Sequence, residues 1–273
     1  MIKKLISELA QLWVLESIIL YILHRLFFYN KNYFNPRKKN KLFICGSGWS
    51  INNISEIEWI FIENNYDVMS FNEFYKCDKV RIDFHLIREI ELNYFGKISS
   101  RFHSIFNFKA LKQNTHEISI NRKMDNTIFF VLNDFKSGSA LLWDLLNRNR
   151  KKIYYSNTFI RNKNKYPSFN ISNISHRNST LFDCINLGVL MGYSDIVLAG
   201  IDLNDRRYFY LAANETRDFD LRKGSTFQNK HATADETFQN ILCWNKFLLN
   251  RNIRLSVLNP SSMLAQILPI TKL

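Results

Sequence analysis

Glycine and proline are scarce in this chain, eight and four of 273 residues, and its four cysteines, Cys45, Cys77, Cys184 and Cys243, stand singly with no C-x-x-C pair. Without a C-x-x-C pair the chain reads as lacking a structural zinc, and at 273 residues it is no disulfide-stapled miniprotein. Three of the four lie in apolar stretches where a thiol packs as a small hydrophobe, which reads as a reducing compartment. No G-x-x-x-x-G-K-[ST], H-E-x-x-H or G-x-S-x-G string occurs, removing P-loop, zincin and α/β-hydrolase chemistry. No internal repeat or low-complexity tract is present. Acids are outnumbered, 24 against 37 Lys and Arg, leaving a net charge of +13 that calls for a polyanionic partner. What is abundant is apolar: 46% hydrophobic and 15% aromatic residues exclude a disordered polypeptide and supply one sizeable core.

The most apolar stretch, Leu9 to Tyr29, is broken by Glu16, His24 and Arg25, so no run of about 18 apolar residues is available to span a bilayer. No small-residue cleavage site follows it, which argues against secretion. Leu12, Leu15, Ile19, Leu23 and Leu26 recur at helical spacing, and Lys31, Arg37, Lys38, Lys39 and Lys41 follow. Residues 1–39 therefore read as an amphipathic helix and basic cluster that lie on an anionic leaflet. The plainer account is an ordinary packing helix with a solvated linker.

From residue 40 to the C-terminus the pattern is that of a single α/β domain. Lys41 to Cys45 predicts a strand, Gly46-x-Gly48 a tight turn, and Ile54, Ile57 and Trp59 a helical face. In that turn the first glycine permits the bend and the second lets phosphate approach backbone amides, although a plain strand-to-helix turn needs the same residues. Tyr66 to Asn72 predicts the next strand with a polar end, and Phe84 to Leu86, Ser104 to Phe108 and Thr127 to Leu132 predict others. Ala140 to Leu146 reads as helix. Arg177 to Gly192 predicts a helix in which Gly188 permits close approach to the sheet and Gly192 stops the helix; Asp195 to Gly200 is a buried strand with Asp202 at its polar end. Residues 203–230 lack periodicity and read as a lid. A helix over Ala234 to Asn250, a strand over Ile253 to Leu258 and a short final helix complete the chain.

Among the histidines, His231 sits where the lid meets the last long helix, placed to take a proton from a substrate hydroxyl; alternatively it and Thr233 merely start that helix. His85 near a strand end and His176 beside Arg177 are weaker candidates. Arg177 with Ser179 and Thr180 at a helix start would converge on an anion, unless it is a solvated Arg beside an ordinary cap. Asp218 and Asp220 form a D-x-D string suited to a divalent cation, but within the lid; Asp202 and Asp205 form a second pair, of a kind that more often organises a turn.

The series Gly46-Ser-Gly-Trp-Ser50, Phe71-Asn-Glu-Phe-Tyr75, Arg177-x-Ser-Thr180, Gly192 through Asp202, His231 and Asn259 through Leu264 resembles the bacterial sialyltransferases of glycosyltransferase family 42, lipooligosaccharide type. The likeness runs from about Lys41 to the C-terminus, with 89–170 matched only by default. It implies a Rossmann-like, GT-A-like domain with a mainly parallel sheet and a lid, a CMP-sialic acid donor, no metal or other cofactor, and inversion. It also implies, by position, that Gly46, Ser47, Gly48, Ser50, Asn72, Glu73, His85, Ser179, Thr180, Gly200 and Asp202 line the nucleotide-sugar site. Arg177 would supply positive charge and His231 the general base. The phosphate-binding tyrosines of the family fall on Asn204 and on Tyr208 or Tyr210, with Arg207 as a further lid cation. Ser47, Trp49, Glu73 and His85 depart from the family's residues and put the donor sugar in question more than the fold.

The expectation is thus an inverting transferase at the inner face of the bacterial cytoplasmic membrane. Its partners would be a nucleotide-sugar donor and a glycan or glycolipid acceptor of the galactose type, with peripheral membrane contact, no nucleic acid, and a homo-oligomer in keeping with the family. The competing readings are a different CMP-activated sugar acid such as Kdo, a non-catalytic basic binding module, and metal-dependent transfer from a UDP-sugar through Asp218 and Asp220.

Overall fold

The structure, a computed structural model, describes residues 36–88, 93–94, 97–98, 108–133, 140, 143–144, 146–156, 166–215 and 233–273. The apolar runs form β1 (Lys41–Cys45), β2 (Asp67–Phe71) and β3 (Phe84–Ile87), followed by a small antiparallel pair, β4 (Asn93–Tyr94) and β5 (Lys97–Ile98). Then come β6 (Ile128–Leu132), β7 (Lys151–Tyr155), β8 (Asp195–Ala199) and β9 (Arg254–Val257). Seven of them pair in the order β7-β6-β3-β2-β1-β8-β9, every pairing parallel. The chain builds outward from β1 to β7, returns as β8 on the other side of β1, and ends as β9. Strand order therefore reverses between β1 and β8, the switch point of a doubly wound α/β sheet.

Side chains alternate across a strand, so each strand feeds two cores. One face is closed by α1 (Glu56–Asn65) and α2 (Phe108–Ile120), which pack with Phe43, Cys45, Val68 and Val197. The other is closed by α3 (Thr180–Leu190), with α4 (Ala234–Leu249) beside it, packing on Leu42, Ile44, Met69 and Leu198. Burial on both faces explains why these strands read as unbroken apolar runs. Gly188 brings α3 against β1: a Cβ there would lie 2.7 Å from Leu42 Cδ2. Gly192, at φ +80°, turns the chain out of α3 toward β8.

The N-terminal edge of the sheet is fastened by a buried carboxylate. Asp67 Oδ2 accepts from the Lys38 and Lys39 backbone N–H groups at 2.8 and 2.9 Å and from the Tyr193 hydroxyl at 2.6 Å. Arg37 Nη1 donates to the Gly192 carbonyl, so the chain is held to the domain from residue 37 onward.

Some sequence expectations shift. The helical face placed on Ile54, Ile57 and Trp59 starts later: a Ser55–Glu58 capping box opens α1, Trp59 and Ile62 carry its contact, and Ile57 is 81% exposed. Phe108, expected to end a strand, begins α2, while 104–107 lie outside the described residues. Of the stretch expected to be helical over 140–146, residues 140, 143, 144 and 146 are described and are helical. Strand β7 is an addition to the strands that the apolar runs predict. The apolar segment 9–29, His231, Asp218, Asp220 and the later part of the expected lid also lie outside the described residues.

Candidate functional site

At the C-terminal edge of the sheet, over the switch point, a cleft of about 360 Å³ opens between the turns after β1, β2 and β8 and the starts of α3 and α4. Its floor begins with two interlocked turns. Gly46 N–H donates to the Ala199 carbonyl at 2.8 Å and Gly48 N–H to that of Gly200 at 2.9 Å, carrying the β1–β8 pairing past the strand ends. A Cβ on Gly46 would lie 2.6 Å from the Gly200 oxygen, and one on Gly200, at φ +65°, would lie 2.6 Å from the Gly46 oxygen. The glycines thus serve backbone against backbone.

At this turn, expected to offer its amides to a phosphate, the structure seats a carboxylate on one of them. Residues 49–53 form a 3₁₀ turn, and Asp202 occupies its amide end: Oδ2 accepts from Ser50 N–H at 2.9 Å and Oδ1 from Ser50 Oγ at 2.6 Å. Asn259 Nδ2 reaches the same Oδ1 at 3.0 Å, and Ser262 Oγ donates to the Ile201 carbonyl at 2.7 Å, so the Asn259-Pro-Ser-Ser segment buttresses the β8 turn. Ser50 and Asp202 satisfy each other, although Asp202 lines the cleft. Ser47 also lines it, and its hydroxyl is buried with no hydrogen-bond partner among the described residues, so it is able to meet a ligand.

Asn72, at the end of β2, takes φ +52°, a left-handed conformation that asparagine tolerates better than most residues. It lines the cleft beside Glu73, whose carboxylate accepts from the Tyr75 hydroxyl at 2.7 Å and pairs with Lys76 Nζ at 3.0 Å. Burial and that carboxylate push the Tyr75 phenol far up, keeping it a donor.

His85 is placed elsewhere. It lies mid-strand, 1% exposed, with Nδ1 2.7 Å from Ser70 Oγ and its ring edge-on to Tyr75 and Phe129, and it does not line the cleft. Burial pushes its pKa down to about 3. The unfolded chain takes up a proton near pH 6.5 that the folded chain refuses, so stability present above pH 6.5 is lost as pH falls toward 3, about 2 kcal/mol of it by pH 5. In His85→Gln the fall in urea-unfolding free energy from pH 7 to pH 5 should be smaller by that amount; equal falls in both proteins would contradict it. The residue that does stand at the end of β3 is Arg88, which lines the cleft.

At the start of α3, Ser179 is the cap, its Oγ accepting from Leu181 N–H, and both Ser179 and Thr180 line the cleft. Arg177 does not. At φ +53° it turns its side chain to α4, where Nε and Nη2 donate to Asn240 Oδ1 at 3.1 and 2.5 Å. Asn178 is tied to the same helix through Thr237 and Asn240, at 2.9 and 3.0 Å. In place of the expected Arg177 the cleft receives Arg88 and His176, both bonded to the buried Asp183. The run Phe84-His-Leu-Ile before Arg88 is the sequence signal that would have found it; nothing local marks Asp183.

Of the tyrosines, Tyr208 lines the cleft and bridges to Gly48. Tyr210 lies outside it, its ring 4.7 Å from Lys76 Nζ. Asn204 also lies outside, donating to the Ser261 carbonyl at 3.0 Å and accepting from Met263 N–H. Arg207 pairs with Asp205 and lies over Trp49. Thr233, at the start of α4, lines the cleft but makes no capping bond through its side chain. His231 is two positions before it, outside the described residues.

No protein-family model matches the chain, and no curated protein sequence does. Solved structures show similarity to it. The monofunctional α-2,3-sialyltransferase Cst-I from Campylobacter jejuni is 17% identical, with 89% of this chain and 84% of that one covered and a TM-score of 0.50. The sialyltransferase Cst-II in complex with CMP is 17% identical over 85% and 86%, TM-score 0.44. The MAf glycosyltransferase from Magnetospirillum magneticum AMB-1 is 14% identical over 63% and 24%, TM-score 0.37. The protein is accordingly a single α/β domain with a seven-stranded parallel sheet, similar in fold to Cst-I.

Proposed function

We propose that the protein is an inverting glycosyltransferase that moves sialic acid from CMP-sialic acid to a hydroxyl of a galactose-type acceptor on a lipooligosaccharide or capsule glycan. The observation that carries the reading is the cleft itself. It lies over the β1–β8 switch point, where open α/β sheets bind nucleotides, and converging there are Ser47, Asn72, Tyr208 and the hydroxyl-bearing start of α3. The sequence resemblance and the fold shared with Cst-I support the same class.

In this reaction the acceptor oxygen bonds to the anomeric carbon as the bond to the phosphate oxygen breaks, and CMP departs with the electron pair. The acceptor proton passes to His231. A single departing phosphate is stabilised by hydrogen bonds, Tyr208 among them, without a metal. Catalysis would take place at a membrane carrying anionic lipid. Among the described residues no helix is long and apolar enough to span it. Exposed cations, Arg37 and Lys38 before β1, Arg81 before β3, Arg122 before β6, Arg148 before β7 and Arg251 before β9, stand at the sheet edge opposite the cleft.

The test is CMP release from CMP-sialic acid with lactose and EDTA present. His231→Ala should lower turnover at least a hundredfold, the scale of a lost general base, with CMP affinity unchanged within tenfold. No release by folded wild-type protein, with CMP-Kdo active in its place, would move the donor to another sugar acid; release abolished by EDTA would defeat the metal-free mechanism. Sedimentation with phosphatidylglycerol vesicles, but not neutral ones, checks the membrane.

A further inference from the structure

The geometry points to Arg88 and His176, held by Asp183, as the seat of an anionic group, carboxylate or phosphate, on the ligand of the cleft. The inference rests on the donor reading above and names the residues that would recognise the donor's acid.

Asp183 lies in the first turn of α3, wholly buried and outside the cleft lining. Its Oδ2 accepts from Arg88 Nη1 at 3.1 Å and from the Tyr155 hydroxyl at 3.4 Å, and its Oδ1 lies 3.0 Å from His176 Nδ1. The guanidinium and imidazole touch each other, and both line the cleft. One carboxylate with no exposure thus fixes two cleft-facing groups that arrive from different elements, the end of β3 and the approach to α3.

The charge inventory of the lining gives this cluster its role. Among the described lining residues Arg88 is the one Lys or Arg, against three carboxylates, Glu73, Asp202 and Asp205. Those three are already engaged by Lys76, by Ser50 and Asn259, and by Arg207. Arg88, itself paired with Asp183, is thus the cation that the described lining turns to an acidic ligand. A guanidinium presents its N–H donors as a planar fork, the geometry that recognises a carboxylate or phosphate oxyanion. The start of α3, with the Ser179 and Thr180 hydroxyls, adds its dipole on the same side.

The experiment is calorimetric titration of the full chain with CMP and with an unreactive 3-fluoro CMP-sialic acid. Arg88→Ala alone would strand a buried carboxylate, so the main variant pairs Arg88→Met with Asp183→Asn; Arg88→Lys, which keeps the charge but not the fork, is the second. Loss of at least tenfold in affinity for the sialyl donor, with CMP within twofold of wild type, assigns the carboxylate to the seat. Equal tenfold losses for both ligands assign the phosphate. Wild-type affinities in both folded variants overturn the inference. If wild-type protein binds neither nucleotide, the donor reading fails by itself. Titration with free N-acetylneuraminate and inorganic phosphate then decides the seat: binding by wild type but not by the double variant supports it, and no difference overturns it.

Discussion

Gly200→Ala should destabilise the domain by about 3 kcal/mol, combining roughly 1 kcal/mol or more for a left-handed alanine with the strain of overpacking. The backbone there is at φ +65°, and the new methyl would stand 2.6 Å from the Gly46 carbonyl oxygen and 2.7 Å from Ile51 Cγ1. Neither has room to yield, because Gly46 N–H is bonded to Ala199 and the Ile51 side chain is buried. The relief would come from opening the paired turns, so affinity for a cleft ligand should fall along with the urea midpoint. Gly192→Ala separates the two causes. Its φ is +80°, but the nearest atom to an added methyl is Arg37 Nη1 at 3.5 Å, so the backbone penalty of about 1 kcal/mol should act nearly alone. Equal losses in the two variants would mean that the contact between turns contributes nothing.

Asp202→Ala is the second large effect. It removes three acceptor contacts at once and strands the Ser50 amide, the Ser50 hydroxyl and the Asn259 amide, the first two of them buried. At about 1–3 kcal/mol for each buried group left unsatisfied, a loss near 3 kcal/mol is expected after partial hydration. Asp202→Asn retains one oxygen and should lose roughly half as much, because its Nδ2 replaces an acceptor where the Ser50 amide needs one. Urea unfolding of the pair at pH 7 checks both values, and an alanine variant as stable as wild type would remove Asp202 as the organiser of the turn.

The centre of the fold is legible in the sequence and the margins are less so. The segments β1, β2, α3, β8, α4 and β9 stand out because each is buried on the face its periodicity marks and is bounded by glycine or a polar end. Strand β7 does not: it begins Lys151-Lys152, and as an edge strand it is covered less completely, with only Ile153 and Tyr155 buried. Helix α2 is equally obscure, since Leu111 and Ile118 are joined inside by the polar Asn114. At the site, Gly48, Asn72, Ser179 and Tyr208 are marked by local pattern and do come together in the cleft. Arg88 is marked only by the apolar run that ends one residue before it, and Asp183 by nothing local, because their contact spans 95 positions. Arg177 lies outside the cleft lining for a conformational reason: its neighbours 176 and 178 face the cleft, and a left-handed backbone sends the residue between them the other way.

That same left-handed residue has a mechanical consequence. Arg177 and Asn178 clasp Thr237 and Asn240, so the starts of α3 and α4 are one jaw of the cleft and not two. A ligand lying between them and the paired glycine turns meets a gauge of set width, whose opposing surface is itself locked to the centre of the sheet. Size discrimination on that axis is therefore built in before anything binds.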